Sequence, residues 1–166
     1  MKKRRSGRGV LLVGLMALMG ALSLPLYGQQ ASSKEQADVQ QLKALKSAIV
    51  RDFAALPPAP TLHGGELEVV VGIGNRASEA MAEVDNAIWF VSLYEQMQCE
   101  PDRAAASAVL KNRIRLYRPL LEAQVDQIEE SLALASLPET IQAGHKLQAD
   151  LKAASAKLTK IEAGLK

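Results

Sequence analysis

Residues that carry chemistry are scarce in this chain of 166 amino acids, which has one cysteine, Cys99, and two histidines, His63 and His145. One cysteine closes no internal disulfide, and two isolated histidines fall short of the three or four protein ligands of a zinc site. No CxxCH, HExxH or GxSxG spacing occurs, so haem attachment, zinc hydrolysis and a nucleophile elbow lack their local signatures. Neither histidine is tied to Cys99 by a motif, and a thiol nucleophile needs such a base. Ser107 and Ser131 likewise have no base beside them. The acidic pairs Glu35 with Asp38, Glu79 with Glu83, and Glu129 with Glu130 read as solvated helix faces. The expectation is a protein that is not an enzyme and holds no metal and no cofactor.

Aromatic residues make up only 4% of the chain. Strands draw on aromatic and β-branched side chains, so this scarcity argues against a sheet sandwich. Alanine and leucine abound instead, which favours helices packed through small and branched aliphatic groups.

The formal charge of +2 is unevenly placed. Lys2, Lys3, Arg4, Arg5 and Arg8 precede an almost wholly apolar run over residues 10–22, and the next charged residue is Lys34. The other fifteen basic residues face eighteen acidic ones, so a chain without the leading segment carries −3. The basic balance therefore gives no argument for nucleic-acid binding.

A basic stretch, an apolar run and Pro25 form the three-part pattern of a secretory signal peptide over residues 1–28. Ala21 and Ser23 supply the small residues that cleavage needs, and the cut falls between about residues 23 and 31. The alternative is an uncleaved anchor, because residues 10–27 approach the roughly 18 needed to begin spanning a bilayer. Either reading exports the remainder, to the periplasm or outside the cell, or facing the periplasm from an inner-membrane anchor.

Ser32 and Glu35 have the form of a capping box. Helix one follows over residues 32–56, with Val39, Leu42, Leu45, Ile49, Phe53 and Leu56 at helical spacing. Pro57, Pro58 and Pro60 stop it. A linker over residues 57–75 contains the only β-like run, 67–74, where Val69, Val70, Val71 and Ile73 stand close together. A lone strand has nowhere to pair, so this run either meets a second copy, pairs with the linker, or leads into the next helix. Residues 72–77 also match GxGxxA, with Gly72, Gly74 and Ala77 as the candidate cofactor-binding positions of a dinucleotide fingerprint. That fold needs a second parallel strand and an acidic residue about twenty residues on, and the sequence instead passes from helix to helix.

The helical-bundle core is expected over residues 76–166. Helix two is apolar nearly all round from Ile88 to Tyr94, so this turn either sits deepest in the bundle or presses against a second chain. Helix three, over residues 99–135, repeats Leu110, Ile114, Tyr117, Leu121, Val125, Ile128, Leu132 and Ala135 at steps of three and four. Pro119 lies inside that register without shifting it, which predicts one kinked helix. Ser136 and Glu139 form a second capping box ahead of helix four.

Two surface features stand out. Cys99, at the turn between helices two and three, is either buried as a small hydrophobe or available for an intermolecular disulfide. Lys111, Arg115 and Arg118 share one helix face and are candidates for contact with an anionic surface, against the plainer reading of a solvated face. The sequence thus predicts an all-α, elongated, antiparallel bundle of three to four helices with coiled-coil character, preceded by a signal peptide. The expected function is non-catalytic: an exported adaptor, assembly subunit or holding chaperone that works through a protein partner or self-association as a homo-oligomer, with membrane contact only through an uncleaved N-terminus. A membrane-anchored envelope stalk and a small ligand binder using residues 72–77 are the alternatives.

Overall fold

A computed structural model describes residues 33–97 and 99–165. The signal-peptide reading of residues 1–28, Ser32 and the side chain of Glu35 lie outside the described residues. Four long helices follow one another: α1 (Ser33–Phe53), α2 (Gly65–Gln96), α3 (Glu100–Leu132) and α4 (Pro138–Gly164). There is no strand among the described residues.

Helix α1 stops at Phe53, three residues before the expected end, and the chain turns through bonds from Ala55 to Asp52 and from Leu56 to Phe53. Pro57 explains the early stop, since a residue ahead of proline is disfavoured in the helical region. One 3-10 turn, Ala59–Thr61, bridges to α2, and Leu62 is buried beneath it. Gly64 has φ of +61° and ψ of −140° at the start of α2. Only glycine adopts that backbone without strain. It reverses the chain there.

Of the three expectations for residues 67–74, the lead-in to the next helix is the one found: they are helical and form the first turns of α2. Val69 and Ile73 begin a register that continues through Ala77, Ala80, Val84, Ala87 and Val91, all buried. β-Branched residues lower helix propensity by only tenths of a kcal/mol each. Burial of a valine or isoleucine side chain returns about 1.5–3 kcal/mol, and a helix satisfies its own backbone where a lone strand does not. The two glycines in the run mark close helix approach: a Cβ on Gly74 would stand 3.3 Å from the Phe53 ring, and one on Gly72 would stand 3.5 Å from the Ser131 hydroxyl. The 57–75 linker therefore shortens to residues 54–64, and the core begins well before residue 76.

Helix α1 belongs to that core, packing on α2 and on α4, while α3 packs on the same two neighbours from the other side. Each adjacent pair runs antiparallel. Lys46 meets Asp85 at 2.7 Å and Gln124 meets Glu79 at 2.9 Å, while Arg115 meets Glu162 at 2.7 Å and Lys157 meets Asp38. Helices α2 and α4 also touch across the bundle whereas α1 and α3 do not. The reason is side-chain size: α2 turns Ala77, Ala80 and Ala87 inward and α4 turns Ala143 and Ala154 inward, which lets those two axes approach. Leu42, Ile49, Leu110, Ile114, Leu121, Ile128, Leu147, Leu151 and Leu158 fill the remaining space.

Helix α3 is continuous from Glu100 to Leu132 with Pro119 inside it, and its expected core stripe is buried from Leu110 to Leu132. The second capping box does not form. Leu137 is the N-cap of α4 and makes no side-chain bond; Ser136 instead donates its backbone N–H and its hydroxyl to Glu66 at the start of α2, both at 2.7 Å. The Ser136 hydroxyl, seconded by other donors there, holds the Glu66 carboxyl down at about 2.

Candidate functional site

With every core-facing position occupied, the informative residues are those that face outward and those that are ionisable inside. Between α1 and α4, Arg51 grips buried Asp52 through Nε at 2.8 Å and through Nη2 at 3.2 Å. Its hydrogen bond holds that carboxyl below the usual range. Asp150 stands opposite, 4.0 Å from the Arg51 guanidinium, and burial, together with Asp52, pushes its carboxyl up. At the other end of the bundle burial pushes the Glu95 carboxyl up to about 7, with the Asp38 charge adding to the rise.

Glu95 has a measurable consequence. A free glutamate titrates near 4.5, so between about pH 4.5 and 7 the folded chain holds a proton that the unfolded chain has released. By linkage, this group's contribution to stability falls as pH rises through that window. Glu95→Gln is expected to flatten the decline and to melt higher than the parent at pH 8, with little difference at pH 4.5. Thermal melts across that range test it.

The outward face of α3 carries a feature that the core stripe obscures. Val109, Arg113, Leu116, Leu120, Ala123, Gln127 and Glu130 step by four and three, with Ala123 and Gln127 half-buried and the Gln127 Oε1 turned out of solvent, and Leu134 continues the series in the turn beyond the helix. Four of them are large apolar side chains open to solvent: Val109 is 48% exposed, Leu116 50%, Leu120 38% and Leu134 76%. Arg113 lies over the Phe90 ring at 5.0 Å, and Phe90 meets Trp89 edge-on at 4.7 Å. Trp89 itself is 60% exposed. The apolar turn from Ile88 to Tyr94 is therefore not the deepest part of the bundle, since it buries Val91 while leaving Trp89 in solvent.

Most of this stripe falls one residue ahead of the core series, Val109 before Leu110, Arg113 before Ile114, Leu116 before Tyr117, Leu120 before Leu121 and Gln127 before Ile128. Its spacing is present in the sequence, but the more continuous apolar series beside it marks the core, and Arg113, Gln127 and Glu130 make this one look like an ordinary solvated face.

The residues singled out from sequence fare differently. Gly72, Gly74 and Ala77 lie inside α2, with Ala77 fully buried. A phosphate-binding fingerprint needs glycines at a strand-to-helix turn, with the helix N-terminus facing the ligand. That geometry is not what these residues make. Arg115 and Arg118 converge on one carboxylate, Glu162 of α4, at 2.7 Å and 3.3 Å. They form an α3–α4 clasp, and Lys111 is left as the third member of the expected basic face. Cys99 is exposed at the start of α3, so the buried-thiol alternative does not hold.

Among the described residues, no group of three or more histidine, cysteine or acidic side chains is placed to hold a metal ion. None of the described helices is long and apolar enough to cross a membrane. No family model matches the chain, and neither the curated proteins nor the solved structures contain a significant match to it.

Proposed function

We propose that this is an exported helical protein that acts by binding other proteins, as an adaptor, assembly subunit or holding chaperone, with coiled-coil pairing of α3 as its mode of contact. The observation that carries the reading is the outward stripe of α3, above all Leu116, half exposed in line with Val109 and Leu120. A bundle that needed only to be stable would place polar residues there, because apolar groups left in water add nothing to folding and invite association. The export half of the reading draws on the basic stretch and apolar run of residues 1–28.

The test is a photo-crosslinking amino acid at Leu116, activated in cells that make the protein. An adduct of discrete higher mass is expected from that position. The same group at Lys152, on the solvent face of α4, should give none. No adduct from Leu116, or equal adducts from both positions, would overturn the proposal.

A further inference from the structure

We propose that the outward stripe of α3 pairs with the same stripe of a second copy of this chain, antiparallel, about a two-fold axis passing between residues 121 and 122. The inference rests on reading that stripe as a contact surface, and it names the occupant.

Two features of α3 select a second copy. The first is charge: the stripe carries exposed Arg113 in the N-terminal half of α3 and exposed Glu130 in the C-terminal half. An antiparallel pair lays each half over its opposite, while a parallel pair would set like over like. The second is register. Antiparallel pairing about that axis brings Leu120 against Ala123, Leu116 against Gln127, Arg113 against Glu130 and Val109 against Leu134, each occurring twice by symmetry. Large residues meet small or flexible ones at the centre, where Leu120 faces Ala123. The only charges on the stripe itself, Arg113 and Glu130, meet with opposite sign. The 4-3 spacing is the one that keeps a seam facing a partner helix over several turns. A two-fold contact requires that the same patch be complementary to itself, and this stripe meets that condition through a charged pair that a chance apolar patch would lack.

The arrangement also fixes where Cys99 goes. In the antiparallel register its level along the axis corresponds to position 144 of the other copy, so the two thiols stand about 65 Å apart at helical rise. The dimer is therefore not disulfide-linked, and Cys99 is excluded as its crosslink.

The experiment measures mass by sedimentation equilibrium on the full chain, at low salt and at high salt, with and without reductant. A dimer is expected, unaffected by reductant and weakened by salt. Arg113→Glu and Glu130→Arg should each weaken it by about tenfold or more, because each sets like charges opposite one another at two places. The double swap should return affinity to within about threefold of the parent. Circular dichroism of each variant checks that the monomer fold is retained, and recovery by the double swap would be impossible if either change simply unfolded the chain.

A parent that is monomeric at several hundred micromolar overturns the proposal, as does a double swap that stays weak. A Cys99-linked dimer formed by mild oxidant in place of the reductant-insensitive one overturns the antiparallel register. These failures are separable from failure of the broader reading: a monomeric parent that still gives a Leu116 adduct of a different mass keeps the surface and loses only the second copy as its occupant.

Discussion

Leu121→Asp is expected to lower the stability of the bundle by about 4 kcal/mol or more, enough to leave much of the chain unfolded at room temperature. Leu121 is completely buried on the inner face of α3. A carboxylate there meets only hydrocarbon, so it either stays charged at a large desolvation cost or takes up a proton with its pKa far above its usual value. Leu121→Ala keeps the measurement possible if the aspartate variant does not fold. It should cost about 2–5 kcal/mol, for the lost burial plus the cavity left behind. Urea denaturation at pH 7 reads both. A change under about 0.5 kcal/mol for either would mean that the inner and outer stripes of α3 have been exchanged.

The second large effect runs the other way. Pro119 sits inside α3 with its side chain exposed, so replacing it forfeits no buried contact. It supplies no N–H to the Arg115 carbonyl one turn earlier, a defect that costs about 3 kcal/mol in an ordinary helix interior. Pro119→Ala restores the donor. It also frees the unfolded chain, which subtracts about 0.4–1 kcal/mol. The net expectation is a gain of about 2 kcal/mol, read as a higher urea midpoint with an unchanged dependence on denaturant. A loss of stability would mean that the packing of α3 depends on the local backbone set by the proline, which alanine does not reproduce.

Much of the fold was legible because helices announce themselves locally. The series Leu110, Ile114, Tyr117, Leu121, Val125, Ile128 and Leu132 names its own face, and every member is buried. The continuity of α3 through Pro119 followed from the unshifted register on either side. What local pattern did not convey was the choice between competing local preferences once tertiary burial enters. Val69, Val70, Val71 and Ile73 have strand-like propensity, yet the bundle buries Val69, Val70 and Ile73 in a register that only a helix provides, leaving Val71 exposed. Ser136 and Glu139 have the spacing of a capping box, but Glu66, seventy residues earlier, takes the hydroxyl first. The same holds for the candidate sites. Arg115 and Arg118 look like an open basic face until Glu162 arrives from α4, and Trp89 looks like core until its neighbours turn out to be smaller and nearer the axis.

The closing contact of the ring has a kinetic meaning. Helices α2, α3 and α4 meet their neighbours across short turns, so each of those pairings is local in sequence and fast to find. Helix α1 docks on α4 through Lys157 and Asp38, 119 residues apart along the chain. Among the described helix pairs that contact spans the greatest stretch of chain, and closing so long a loop costs more entropy than pairing neighbours across a turn. Helix α1 also packs on α2 across the short 54–64 connection, so the seam between α1 and α4 is the one place where the ring of helices relies on a non-local contact.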